Sequence, residues 1–196
     1  MIINSALFLT ALINPISKIA VISMLPESAS MKDVEKIALR SSLVAFAMLI
    51  VFALGGNLLF KSVFHIELYS FQSVGGFVVF FYGFMALRQG VFFEVSSQQK
   101  LLDLSIVPIA SPLIAGPATI TAVITLSAEH HISTVIIALA LALGLNLVAM
   151  LLSRVIAKPL IKFNVMGALI RITGLFVASI GVDMMFTGIR SFVQTL

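Results

Sequence analysis

Long apolar runs alternate with short polar connectors along the whole chain. Runs of about 20 residues, enough to cross the hydrocarbon layer as helix, fall at 3–24, 37–59, 70–90, 104–126, 132–152 and 165–189. The connectors at 26–36, 61–69, 89–103, 128–133 and 153–164 are too short to hold a soluble domain. The pattern predicts an all-α integral membrane protein with six transmembrane helices, forming a single transmembrane domain over 1–196. Met1-Ile2-Ile3-Asn4 has no basic stretch, so the amino terminus reads as the start of the first span and not as a cleaved signal.

Composition supports the membrane setting: 60% of residues are hydrophobic and 10% charged, with a mean hydropathy of +1.17. The absence of cysteine excludes a disulfide framework and thiolate metal sites. The net charge of +4 is dispersed over short loops, which argues against a nucleic-acid surface. Its distribution sets the orientation instead. Lys32, Lys36, Arg40, Arg88, Lys100, Arg154, Lys158, Lys162 and Arg171 fall on one side of the six-span threading, against Lys61 and Arg190 on the other. The richer side is expected to be cytoplasmic, with both termini outside.

Two runs carry a helix breaker at their middle: Leu12-Ile13-Asn14-Pro15-Ile16-Ser17 and Ile114-Ala115-Gly116-Pro117-Ala118-Thr119. Helices 1 and 4 are thus expected to be broken at Asn-Pro and Gly-Pro. A break at membrane depth persists only where neighbouring helices or a wet cavity satisfy the freed backbone groups. Pairing Pro15 with Pro117 aligns Ser17 with Thr119 and Ala20-Val21-Ile22 with Ala122-Val123-Ile124. Gly76, Gly83 and Gly90 recur every seven residues in the third run, as do Gly167, Gly174, Gly181 and Gly188 in the sixth. Seven residues are nearly two helical turns, so each series forms a stripe suited to close helix contact. Each half then has three crossings, an odd number, which predicts two inverted three-helix repeats at about 1–91 and 104–190.

Each proline lies within about two residues, roughly 3 Å of helical rise, of its run's middle. Half-helices beginning around Ile16 and Ala118 would present their amino ends to one central place from opposite sides. Backbone N–H groups at a helix start bind negative charge, and the carbonyls before each break accept from an ammonium. A small zwitterion meets both demands. Asn14, Ser17, Thr119 and Thr121 add neutral donors and acceptors, and Gly116 gives room beside Pro117. The plain alternative is a pair of proline kinks.

Lys18 and Asp183 are ionisable groups within spans, where charge is costly and often functional. Lys18 follows Pro15 by three residues and so shares its face. It either snorkels to the cytoplasmic interface or faces the cavity and attracts a carboxylate. Asp183 is expected about 15 Å away from it in depth, as an outer-vestibule or proton-carrying group or one hydrogen-bonded near the interface to Thr187. Asn57 and Asn146 are candidates for hydrogen bonding between helices. His130 and His131 have no partners at metal-ligand spacing, and no metal or cofactor is expected. The chain has no P-loop, Gly-x-Ser-x-Gly or His-Glu-x-x-His motif, so it is not expected to be an enzyme.

The segments LINPISKIAVI and PLIAGPATIT, with the closing GVDMMFTGI, resemble the MarC family of bacterial multi-pass inner-membrane proteins, which includes SnatA-type transporters of small neutral amino acids. The resemblance covers essentially the whole chain. It implies that Asn14, Pro15, Gly116 and Pro117 hold the family's signature positions, with Ser17 and Ala118 where the family often has glycine. It also implies the cell inner membrane as location. The expected function is a secondary transporter of small neutral amino acids or similar small zwitterions, working by alternating access. Its substrate site would comprise Asn14, Pro15, Ser17, Lys18, Gly116, Pro117, Thr119 and Thr121, with H+ or Na+ as coupling ion and Asp183 as a coupling or vestibule group. The alternative is a non-transporting membrane interaction or scaffold protein. Either allows a homo-oligomer in the bilayer.

Overall fold

A computed structural model of the chain describes residues 1–23, 25, 29–58, 60, 62, 65–90 and 105–195. Lys61 and Lys100, used in the charge count, and the connector 91–104 lie outside the described residues, as does the side chain of Asn57. The protein is predominantly helical over the described residues, with no strand among them. Its helices are α1 (Ile2–Ile13), α2 (Pro15–Ser23), α3 (Met31–Leu58), α4 (Leu68–Gln89), α5 (Pro117–Glu129), α6 (Ile132–Leu151), α7 (Ser153–Lys162) and α8 (Met166–Val193), with a π-helical segment, Ile106–Ile114, before α5.

Among the described residues, five stretches are long and apolar enough to cross a membrane: Ile2–Ser23, Met31–Gly56, Leu68–Gln89, Ile132–Leu151 and Met166–Val193. The fourth expected span is met as two shorter pieces on either side of Gly116. The 13 residues of α5 rise only about 20 Å, short of the hydrocarbon thickness. Large apolar side chains such as Leu43, Leu54, Phe77, Phe81, Leu145 and Phe176 stand exposed on the outside of the bundle. The centre is filled by Leu9, Ile13, Ile22, Leu49, Ile114, Val123 and Leu139. Such an apolar exterior is stable only in lipid.

Two elements differ from the reading of the runs. Helix α3 begins at Met31, six residues ahead of its apolar run, because Ser30 caps it: Ser30 N–H donates to Asp33 Oδ2 at 2.8 Å and Asp33 N–H donates back to Ser30 Oγ at 3.2 Å. That reciprocal pair satisfies donors a helix start leaves open. The connector 153–164 is not an irregular loop but contains α7, which buries Ser153 and Ala157 and exposes Lys158 and Lys162. Arg154 Nη2 donates to the carbonyl of Ala29, tying this helix to the connection ahead of α3.

The glycine stripes meet each other. A Cβ placed on Gly76 would lie 2.6 Å from Gly181 O, one on Gly83 2.6 Å from Gly174 O, and one on Gly188 2.6 Å from Tyr69 O. Helices α4 and α8 are therefore antiparallel and in backbone contact along their length, with no room for even a methyl group between them. Small residues supply this closeness in lipid, where packing and not water exclusion drives helix association. Gly90 serves differently, closing α4 at φ 71° with its N–H on Ala86 O. Gly144 and Gly167 face open space.

Candidate functional site

Both breakers act, by different backbone geometry. Asn14 ends α1 in the left-handed region, φ 54°, ψ 78°, with its N–H on Thr10 O, and α2 restarts at once with Pro15. Asparagine tolerates that conformation better than most residues. Gly116 is extended, φ −87°, ψ 171°, as the residue before a proline should be, and Pro117 takes the first turn of α5, where its missing N–H is no loss. Glycine at 116 is thus not demanded by backbone angle. The π-helical segment before it ends in a wide turn, with Ala115 N–H donating to Ala110 O at 2.8 Å.

The two breaks adjoin one cavity of about 70 Å³, lined by Leu12, Ile13, Asn14, Ser17, Lys18, Leu113, Gly116, Pro117, Ala118 and Thr119, with Val79 and Tyr82 of α4 and Val177 of α8 on its remaining wall. That is several times the space one water needs. Six of the expected site residues therefore come together: Asn14, Ser17, Lys18, Gly116, Pro117 and Thr119. Ser17 and Thr119, equated by the proline alignment, are both buried. Ser17 Oγ donates to Asn14 O at 2.7 Å, and Ser17 N–H donates to the same carbonyl at 3.1 Å.

Lys18 does not snorkel. It is only 1% exposed, and its Nζ donates to the carbonyl of Ile13, at the end of α1, and to that of Leu113, at the end of the π-helical segment, 2.7 Å away. One ammonium thus joins the carbonyl ends preceding both breaks. An ammonium carries three N–H donors, and the third has no acceptor among the described residues. No Asp or Glu lines the cavity.

The other expected residues lie elsewhere. Pro15 borders a groove between α1 and α8, with Thr10, Asn14 and Thr173. Thr121 and Asp183 line a second, larger cavity of about 500 Å³ together with Gln72, Thr125, Glu129 and Thr187. Leu12 and Ala118 border both this cavity and the central one. Asp183 is exposed and pairs with neither Lys18 nor Thr187 among the described residues. The Thr121 hydroxyl is buried without a hydrogen-bond partner. Asn146 donates to Met150 Sδ one turn on at 3.4 Å, and Ser41 of α3 approaches the same sulfur at 4.0 Å, so the link between α3 and α6 runs through methionine. The polar lining residue missed from the sequence is Tyr82, whose hydroxyl stands out in the apolar stretch 74–87.

A family model described as "MarC family integral membrane protein" matches residues 1–193. The UPF0056 membrane protein PH0214 of Pyrococcus horikoshii is 40% identical over all of this chain and 96% of its own length. The UPF0056 membrane protein YvbG of Bacillus subtilis is 28% identical over all of this chain and 97% of its own length. MJ1677 of Methanocaldococcus jannaschii, a UPF0056 membrane protein, is 29% identical over 92% of this chain. No solved structure matches at a significant level.

Proposed function

The chain belongs to the MarC family of integral membrane proteins, and from that premise we propose that it is a secondary transporter of small neutral amino acids or similar small zwitterions, working by alternating access at the two helix breaks. The observation that carries this reading is the Lys18 ammonium held by the carbonyl ends of both broken segments beside one small cavity. Each half-helix end contributes about half an elementary charge, negative at carbonyl ends and positive at amino ends. The two carbonyl ends and the two amino ends, of α2 and α5, offset one another, so Lys18 leaves the junction with a net positive charge that one carboxylate balances. Asn14, Ser17, Thr119 and Tyr82 supply polar atoms for the rest of a small solute.

Alternating access in this reading rests on six spans in two inverted repeats, the π-helical segment and α5 together forming the fourth crossing. Reciprocal packing supports it. With Gly76 equated to Gly174 and Gly83 to Gly181, the Gly76–Gly181 approach becomes the Gly174–Gly83 approach, which is also present. Exchanging the halves likewise turns the packing of α2 on α6 into that of α5 on α3, and that of α1 on α6 into that of the π-helical segment on α3. A two-fold axis in the membrane plane requires such pairs. The Arg154–Ala29 link joins two basic connections at one end, which supports a cytoplasmic face there, in the cell membrane or the inner one where a cell has two.

Uptake of labelled glycine and alanine into proteoliposomes, under imposed H+ or Na+ gradients, tests the proposal. Gly116→Leu, at an extended position, is expected to abolish uptake while the protein stays monodisperse and helical, and Asn14→Gly to weaken it. Unchanged uptake in Gly116→Leu refutes the site. Absence of flux in the wild type under every gradient refutes transport and favours an interaction role.

A further inference from the structure

We propose that the Lys18 ammonium is a tethered cation filling a monovalent-cation site made by the two helix breaks, and that a protein lacking this amine takes up a free monovalent cation, sodium or a small ammonium ion, in its place. The proposal does not depend on the transport reading, because it is read from the stability of the purified protein.

The site is built from backbone. The last carbonyls of a helix have no partner within it, and here the carbonyls of Ile13 and Leu113, far apart in sequence, converge on one point occupied by Nζ. The Ile13 carbonyl lies among buried residues, Ile13 and Lys18, and the Leu113 carbonyl, on a half-buried residue, faces the same small cavity. In a membrane interior, unpaired carbonyls are expensive to keep. Two helix carbonyl ends together present about one negative charge to the point where Nζ lies, enough to hold one monovalent cation in contact with them, although the amino ends of α2 and α5 offset that charge over the junction as a whole.

The amine is equally bound to this place. A buried lysine ordinarily needs a carboxylate, yet none pairs with Lys18 among the described residues, and the cavity beside it is lined by no Asp or Glu. Tyr82 is the other titratable residue on the cavity wall. What holds the ammonium in place is therefore the carbonyl pair, a donor set of oxygen atoms of the kind that binds alkali cations where half-helices end inside membranes. A lysine there makes the cation part of the chain. It makes the junction's integrity independent of the salt outside.

The test compares melting of the purified protein in sodium chloride, methylammonium chloride and choline chloride at equal ionic strength. Wild type is expected to melt at the same temperature in all three. Lys18→Ala is expected to melt several degrees lower in choline, whose ion is too large for the site, and to recover saturably with sodium or methylammonium. Survival of Lys18→Ala through purification in sodium but not in choline carries the same meaning. If it survives in neither, Lys18→Gln, which keeps one donor to the carbonyl pair, is measured in the same salts and is expected to show the same order. A flat response across the three salts in the variant that folds overturns the proposal, as does a wild-type protein that itself requires sodium.

Discussion

Replacing Gly83 with alanine tests the seam between α4 and α8 most directly. The new methyl carbon would sit 2.6 Å from Gly174 O and closer still to Ala178 N. Both obstacles are backbone, so no rotamer change relieves them. Ordinary contact begins at 3.4 Å, so the helices must part by about 1 Å, a gap that forfeits up to about half of each neighbouring dispersion contact. Overpacking of this kind costs about 1–3 kcal/mol, offset by about 0.5–1 kcal/mol that alanine gains over glycine in a helix. Gly144→Ala is the matched control, because nothing lies within 4 Å of its Cβ position. It should stabilise by about 0.5–1 kcal/mol through the same helix preference. The two glycine-to-alanine changes are thus expected to move stability in opposite directions. Loss of helical circular dichroism with rising dodecyl sulfate fraction in mixed micelles measures both. Equal stability of the two variants would refute the reasoning.

Two further outcomes follow from single side chains. Ser30→Ala should lower stability by about 0.5–2 kcal/mol and fray the first turn of α3, seen as faster amide exchange near Asp33; unchanged exchange would remove the cap from the account. Asp183→Asn should leave the melting temperature untouched, since the carboxylate is exposed and unpaired among the described residues, and should raise the half-saturating substrate concentration with the maximal rate retained. Complete loss of gradient-driven uptake would instead make Asp183 the coupling group.

The breaks themselves were legible because proline acts locally, its missing N–H and fixed φ weakening a helix at its own position. Yet Pro159 sits inside α7 without ending it, so it is Asn14 and Gly116, before Pro15 and Pro117, that mark these two as full breaks. Their different geometries were not legible, since Asn14 in the left-handed region and Gly116 in an extended one satisfy the same requirement in two ways. The glycine stripes were visible as a seven-residue recurrence, but a stripe carries no address, and only the fold shows that each faces the other. Lys18 was visible as a charge near a break. Its partners were not, because the Ile13 and Leu113 acceptors are main-chain carbonyls, which leave no mark on residue identity, and one of them is supplied by the other half. The cap at Ser30 and the helix α7 were written in residues read as connector, where a Ser-x-x-Asp pattern and spaced apolar positions were outweighed by polarity.

Where side chains separate two helices, the layer between them can shear, each side chain changing rotamer as the axes slide. The α4–α8 pair has no such layer: carbonyl and Cα atoms of one helix rest directly in the notches left by the other's glycines. It behaves mechanically as a single stiff plank, and displacement along it meets main-chain collisions at every seventh residue. Compliance is left to the short segments, above all to the single residues Asn14 and Gly116, where no continuous helical ladder resists bending. In the proposed transport cycle, opening of the central cavity toward one face or the other is expected to pivot at those two points, with the α4–α8 pair moving as one body.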